Sequence, residues 1–230
     1  MSVSTIQANI IMSNDNKYIE NNKEINTNNK FKQSHQLVKI SKTMSWILRH
    51  GLNELGLIPD ELGRITIDIL LEQEQMKSVG ATKELVLQVI KTNDKQRFRL
   101  DEVNGIYMVG ANQGHSKSIG DAIDTNKLMV KITKPVELCV HGTYTNVLDE
   151  IKKTGLKNMT RTHIHFATGY TNDKQVISGA RTDTNVFIEI DMELALRDGI
   201  NFYLSSNGVI LSDGINGTIE PKYFKKITYK

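Results

Sequence analysis

The chain has 230 residues, 39% of them hydrophobic and 24% charged, with a formal net charge of only +3. That balance fits a soluble globular protein and excludes both disorder throughout and a surface that attracts nucleic acid by overall charge. One cysteine, Cys139 in the apolar run "VELCVH", excludes an internal disulfide framework and a cysteine-rich zinc site, and the longest apolar runs, "NVFIEI" and "ELVLQVI", are far too short to cross a bilayer. No charged stretch followed by an apolar one opens the chain, so an intracellular protein, cytoplasmic or nuclear and with no membrane partner, is expected.

Residues 1 to 36 hold eight asparagines and no sustained apolar period, which predicts a disordered tail. From Leu37 the apolar residues Leu37, Ile40, Met44, Ile47 and Leu48 recur at helical spacing, and this first helix closes on Arg49 and His50 before Gly51. Cations in a last turn are favoured by the helix dipole, the ordinary explanation for such an ending. In "GRITIDILLEQ", Ile65 and Ile67 alternate like a short strand, and Asp68 is placed to cap a second helix. Thr82 is placed to cap a third through "KELVLQVIKT", with Leu85, Val89 and Ile90 inward. "QRFRLDEVNGIYMV" then reads as a hairpin around Asn104-Gly105, with Phe98 and Leu100 opposite Ile106 and Met108. Helices followed by a two-stranded wing suggest a winged-helix-like unit. Between residues 37 and 115, ten Lys or Arg balance ten Asp or Glu, so phosphate binding there must rest on a few converging arginines.

Apolar content falls between His115 and Lys127, which places a domain boundary there. Beyond it, "KPVELCVHGTY" reads as a strand, "NVLDEIKKTGL" as a helix capped by Asn146 and ended by Gly155, and "THIHFAT" as a strand. "NVFIEID" is another strand, "MELALRDG" a short helix, and "NFYLSSNGVILSDG" two strands joined near Asn207-Gly208. An α+β fold with a mostly antiparallel second domain follows. The expected division is a tail at 1–36, a first lobe at 37–118 and a second at 119–230.

Strand alternation in "TRTHIHF" puts Arg161, His163 and His165 on one face and Thr162, Ile164 and Phe166 on the other. Three such groups are hard to bury without a ligand or partners. Satisfied strand histidines are one reading. A metal site of His141, His163 and His165 is another, opposed by Arg161 on the same face, which would repel a cation. "HGT", residues 141–143, places two polar side chains beside a glycine that permits close backbone approach. "GANQGHS", residues 110–116, has neither the Lys-Ser/Thr of a phosphate loop nor a full dinucleotide fingerprint.

Taken in order, "SKTMSWILRHG", "GRITIDILL", "NDKQRFRL", "ANQGHS", "HGT", "IKKTGLKNMTRTHIHFATG" and "DGINFYLSSNGVILSDG" resemble the tRNA 2′-phosphotransferase family across essentially residues 37–225. The resemblance implies a winged-helix RNA lobe and a C-terminal NAD lobe of the ADP-ribosyltransferase type. It implies that Arg49, His50, Arg97 and Arg161 are essential. NAD would contact His141, Gly142 and Thr143, one of His163 and His165, and Ser205, Asn207 and Gly208. NAD is a co-substrate, no metal is implied, and the partner is RNA with an internal 2′-phosphate, ligated tRNA above all, acted on by a monomer. One departure stands at Gly110, where many members carry arginine.

The implied reaction has two steps. The RNA 2′-phosphate attacks the anomeric carbon of NAD's nicotinamide ribose and nicotinamide leaves. The neighbouring 2″-hydroxyl then attacks the phosphorus, giving 2′-hydroxyl RNA and ADP-ribose 1″,2″-cyclic phosphate. The second step concentrates charge on phosphate oxygens, and arginine's planar fork suits that clamp. Two alternatives differ in class. An ADP-ribosyltransferase acting on nucleic-acid end phosphates or protein would not need the Arg49, His50 and Arg97 set, and a non-catalytic RNA-binding module would want more aromatic residues and a basic groove.

Overall fold

In the computed structural model the described residues are 33–120, 122–170 and 183–230. Helix α1 occupies 33–46 and widens into a π-turn at Ile47–Gly51. Its inner stripe of Ile40, Met44, Ile47 and Leu48 is fully buried, as the spacing predicts. Most of the tail expected at 1–36 lies outside the described residues, while 33–36 are already helical. Gln36 Nε2 donates to Gly80 O at 3.0 Å there.

Strand β1 (Arg64–Thr66) runs directly into α2 (Ile67–Glu72), whose cap is Thr66 and not the expected Asp68. Thr66 has the extended backbone a cap requires, and its Oγ1 accepts from Ile69 N at 3.1 Å, whereas Asp68 sits inside the first turn. The short α3 (Glu74–Ser78) was not legible, since it buries only Met76. Thr82 caps α4 (Lys83–Thr92) as predicted, accepting from Leu85 N at 3.3 Å. The hairpin of β2 (Phe98–Val103) and β3 (Ile106–Ala111) forms around the expected turn, but its register pairs Phe98 with Ala111 and Leu100 with Val109. Asn104 and Gly105 have φ of 53° and 79°, the two-residue turn that sets Val103 against Ile106 and so every later pair. β1 adds to β3, giving the order β1-β3-β2 over one core that includes α1, α2 and α4.

The short helices α5 (Lys117–Gly120) and α6 (Thr125–Leu128) lead into β4 (Met129–Ile132). Then follow β5 (Val140–Thr143), α7 (Thr145–Thr154), β6 (Leu156–Lys157), β7 (Ile164–Phe166) and β8 (Val186–Ile190). The chain ends with α8 (Met192–Arg197), β9 (Phe202–Ser205), β10 (Ile210–Ser212), β11 (Thr218–Ile219), a 3₁₀ turn at Pro221–Tyr223 and β12 (Phe224–Tyr229). Among the described residues all strand pairs are antiparallel, in the orders β4-β9-β10-β7, β12-β8-β5 and β11-β6 beside the first sheet, so the α+β expectation holds. A second core centred on Phe166, Ile188 and Phe202 joins the larger sheets.

Two local expectations change. α7 has no side-chain cap from Asn146; Asn185, just before β8, accepts from Thr145 N at 3.1 Å instead. The strand expected over 162–168 is confined to Ile164–Phe166, so strict alternation does not extend back to Arg161. Gly155 does end α7, at φ 83°, where a Cβ would lie 2.4 Å from Ile219 O.

Candidate active site

The helix ending that looked ordinary in sequence is a π-turn. Such turns are rare and concentrate at functional positions, because the extra residue redirects the side chains that follow. Here it carries Arg49 and His50 in its last turn, with Ile47, Leu48 and Gly51 buried beneath. The Arg49 guanidinium is turned inward, and its Nε and Nη2 are buried with no hydrogen-bond partner. Gly114, at φ 87°, passes so close that a Cβ there would lie 3.5 Å from Arg49 Cζ.

The loop 112–116 gathers the other segments around that guanidinium. Ser116 N donates to Arg49 O at 2.9 Å, Asn112 N donates to Arg97 O at 2.9 Å, and Thr162 N donates to His115 O at 3.1 Å. Ser116 also bridges Arg161. Residues far apart in sequence are thus tied through one short loop that followed neither nucleotide-loop pattern. Arg97 is steadied by Asn93, whose Oδ1 accepts from Arg97 N at 3.1 Å and from Nη1 at 3.3 Å.

Electrostatics identify the occupant this arrangement suits. Burial lowers the Arg49 pKa to about 10, and the like charges of Arg161 and Arg97 push it the same way. Burial, then Arg161, then Arg49 lower His50 as well, and burial lowers Arg97. The groups that act on Arg49 are therefore cations, and a bound anion would relieve the desolvation and the repulsion together.

The second lobe contributes a chain of oriented histidines. His141 Nδ1 donates to His165 O at 2.9 Å, and His165 Nε2 meets Gln113 Oε1 at 2.9 Å. Burial first, then Arg161 and Arg49, hold His165 well below the usual histidine range, so it is neutral near pH 7. His163 turns away from this chain. It packs edge-on against Tyr203 at 5.9 Å, and its Nδ1 lies 2.8 Å from Thr162 Oγ1, which donates to His115 O. Among the described residues no group of three or more His, Cys, Asp or Glu is arranged to hold a metal ion, the His141, His163 and His165 set included.

Thr143 and Gly142 sit on β5 beside His141; Thr143 is buried, and a Cβ on Gly142 would lie 3.1 Å from Thr184 Oγ1. Ser205 and Asn207 are buried and committed internally: Ser205 Oγ donates to Asn207 Oδ1 at 2.8 Å, and Asn207 Nδ2 donates to Lys95 O at 3.0 Å. Their visible work is to fix the turn at Gly208, φ 74°, against the Arg97 segment. Gly110 lies between Arg64 and Arg99 in the sheet register. A Cβ there would lie 3.0 Å from Arg64 Cγ, so the neighbouring strand's arginine fills the space beside it.

Sequence reading missed His115 and Gln113. His115 is 3% exposed, its Nε2 has no partner, and burial followed by Arg49 and Arg99 takes its pKa to about 3. The "NQGHS" stretch fits neither nucleotide-loop pattern, and its role as the hub between segments has no periodic signal.

The family model described as RNA 2′-phosphotransferase, Tpt1 / KptA family, matches residues 35–214. A Schizosaccharomyces pombe protein named as a tRNA 2′-phosphotransferase is 40% identical over 198 residues, covering 86% of this chain and 53% of that protein, so the chain spans about half the length of that relative. The tRNA 2′-phosphotransferase 1 of Homo sapiens is 40% identical over 193 residues, covering 82% of this chain and 74% of that one. A Flavobacterium johnsoniae protein named as an RNA 2′-phosphotransferase is 35% identical over 188 residues, covering 81% and 94%.

Proposed function

Since the chain belongs to the RNA 2′-phosphotransferase family, we propose that it removes an internal 2′-phosphate from RNA, ligated tRNA being the natural case, by transfer to NAD. The observation that carries this reading is the buried Arg49 guanidinium, with unpartnered Nε and Nη2 and with Arg161 and Arg97 as its charged neighbours. In the same reading residues 37–118 form a winged-helix RNA lobe, supported by the helices packed on the β1-β3-β2 sheet. Residues 119–230 form an ADP-ribosyltransferase-type NAD lobe, supported by the antiparallel sheets that carry His141 and His165.

Arg49, Arg97 and Arg161 hold the transferred phosphate, whose two bridging partners change while its non-bridging oxygens stay clamped. In the first step a phosphate oxygen bonds the anomeric carbon as the bond to nicotinamide breaks; nicotinamide leaves neutral and needs no strong acid. In the second step the 2″-hydroxyl gives up its proton as its oxygen bonds phosphorus, the bond to the RNA 2′-oxygen breaks, and that oxygen takes up a proton. His50, next to Arg49 in the π-turn, either binds the phosphate or passes that proton, a bound anion offsetting the neighbouring cations that lower its pKa. His141, fixed through Nδ1 by His165 O, presents its Nε2 to NAD, with Gly142, Thr143 and Gly208 around it and Ser205 and Asn207 holding the turn.

Incubation with NAD and an oligonucleotide bearing one internal 2′-phosphate tests the reading. The expected products are 2′-hydroxyl RNA, nicotinamide and ADP-ribose 1″,2″-cyclic phosphate, formed only with NAD. Arg49→Ala is expected to slow the second step about 100-fold or more and to accumulate the branched RNA between the steps. His141→Ala is expected to block the first step, so no branched species appears. Unchanged RNA rejects the reading, and a stable ADP-ribosyl adduct formed by the wild-type chain rejects it in favour of a simple ADP-ribosyltransferase.

A further inference from the structure

Arg49 and Arg97 close the inner end of a groove of about 730 Å³ that runs outward along α1. One wall is the flank of α1 beside its buried stripe, where the exposed Ser34 and Lys42 and the half-buried Ser41 and Ser45 line the groove together with Leu37 and Val38. The facing wall is the end of α4 and the loop beyond it, with Asn93, Asp94 and Lys95. The three serines put short hydroxyls among the apolar Leu37, Val38 and Val89, with cations on both walls and a single acid, Asp94. From Ser34 to Arg49 the flank is roughly 22 Å long.

We propose that this groove carries the RNA strand on one side of the reacting nucleotide, with Lys42 and Lys95 holding its phosphodiesters and the serine hydroxyls its sugars. The inference rests on the phosphotransfer reading, because the inner end of the groove is the phosphate clamp. A nucleotide whose 2′-phosphate is held at Arg49 and Arg97 still has a chain on each side that must leave, and the groove is an exit already lined for a polyanion. The chemistry is that of single-strand binding, where a cationic channel tracks the backbone and the contacts ignore sequence. Near-neutral overall charge is compatible with this, since the cations needed are local to the channel.

The test uses the full chain, without NAD, and labelled RNA with one internal 2′-phosphate, either flanked on both sides or trimmed to a single nucleotide on one side or the other. Fluorescence anisotropy is expected to show that Lys42→Ala/Lys95→Ala weakens binding of the doubly flanked RNA about tenfold. The slope of log affinity against log salt should fall by about 1.4, two phosphate contacts' worth for single strands. One of the two trimmed RNAs should bind the variant and the wild type alike. Lys42→Glu, a change at an exposed position, should weaken the flanked RNA further while circular dichroism stays unchanged. Equal binding of the flanked RNA by variant and wild type, or an equal loss on all three RNAs, overturns the proposal. Turnover is measured separately with NAD, so absence of reaction in the wild type would reject the enzymatic reading while the binding comparison still decides the groove.

Discussion

His115 shows at a single residue how the site constrains the protein's chemistry. A histidine whose pKa falls to about 3 on folding binds its proton more readily in the unfolded chain. Stability is therefore full above the unfolded value near 6.5, and drains away as pH falls below it toward the folded value. Between pH 7 and pH 5 that one group should cost about 2 kcal/mol. His115→Gln removes the titrating group and keeps a side chain of similar size. Urea unfolding at the two pH values is expected to show the wild type losing about 2 kcal/mol more than the variant, with His50, His163 and His165 common to both chains. Equal losses would mean that His115 is not held neutral by burial. Its neighbour Gln113 does the complementary work, since its side-chain oxygen selects the His165 tautomer with Nε2 protonated.

At the scale of elements, capping separates what local sequence dictates from what tertiary structure supplies. Asn146 follows the usual sequence signature, yet Asn185, 40 residues beyond Thr145, accepts from Thr145 N in the first turn of α7. Asn185→Ala is expected to lower stability by about 1 kcal/mol and Asn146→Ala by a few tenths at most, measured by chemical denaturation; the reverse order would show that the helix is capped locally. The same division explains what could be read in advance. Thr82, the Asn104-Gly105 turn, the buried stripe of α1 and the Gly155 stop are local devices, and all were legible. Thr66 won over Asp68 because β1 delivers it with extended backbone, a fact set by pairing with β3. The strands β4, β11 and β12 escaped because their exposed or two-residue stretches carry no alternation. Of the candidate site, the four cationic positions were visible through resemblance and residue type. That Arg49 and His50 ride on a π-turn, and that His163 and His165 face different neighbours, depended on backbone detail that periodicity does not encode.

Across the whole molecule the two halves are stitched by backbone bonds: Lys117 N to Thr160 O at 3.1 Å, Asp124 N to Glu61 O at 2.7 Å, and Thr162 N to His115 O at 3.1 Å. That seam holds the arginine cluster together against its own repulsion, so the native state contains a conflict that a different sequence could relax. Sulfate, a phosphate mimic, should act as a stabilising salt on the full chain: at ten times its dissociation constant it would raise Tm by roughly 3–6 °C, while sodium chloride at matched ionic strength would not. Arg49→Met, which fills the same space without charge, should raise Tm in the absence of sulfate and abolish most of the sulfate response; scanning calorimetry checks both. A lower Tm for the variant would show that the guanidinium stabilises the empty fold. The expected result makes the cluster a thermal weakness kept for its use, so that sequences selected only for heat resistance would be expected to lose Arg49 early and their turnover with it.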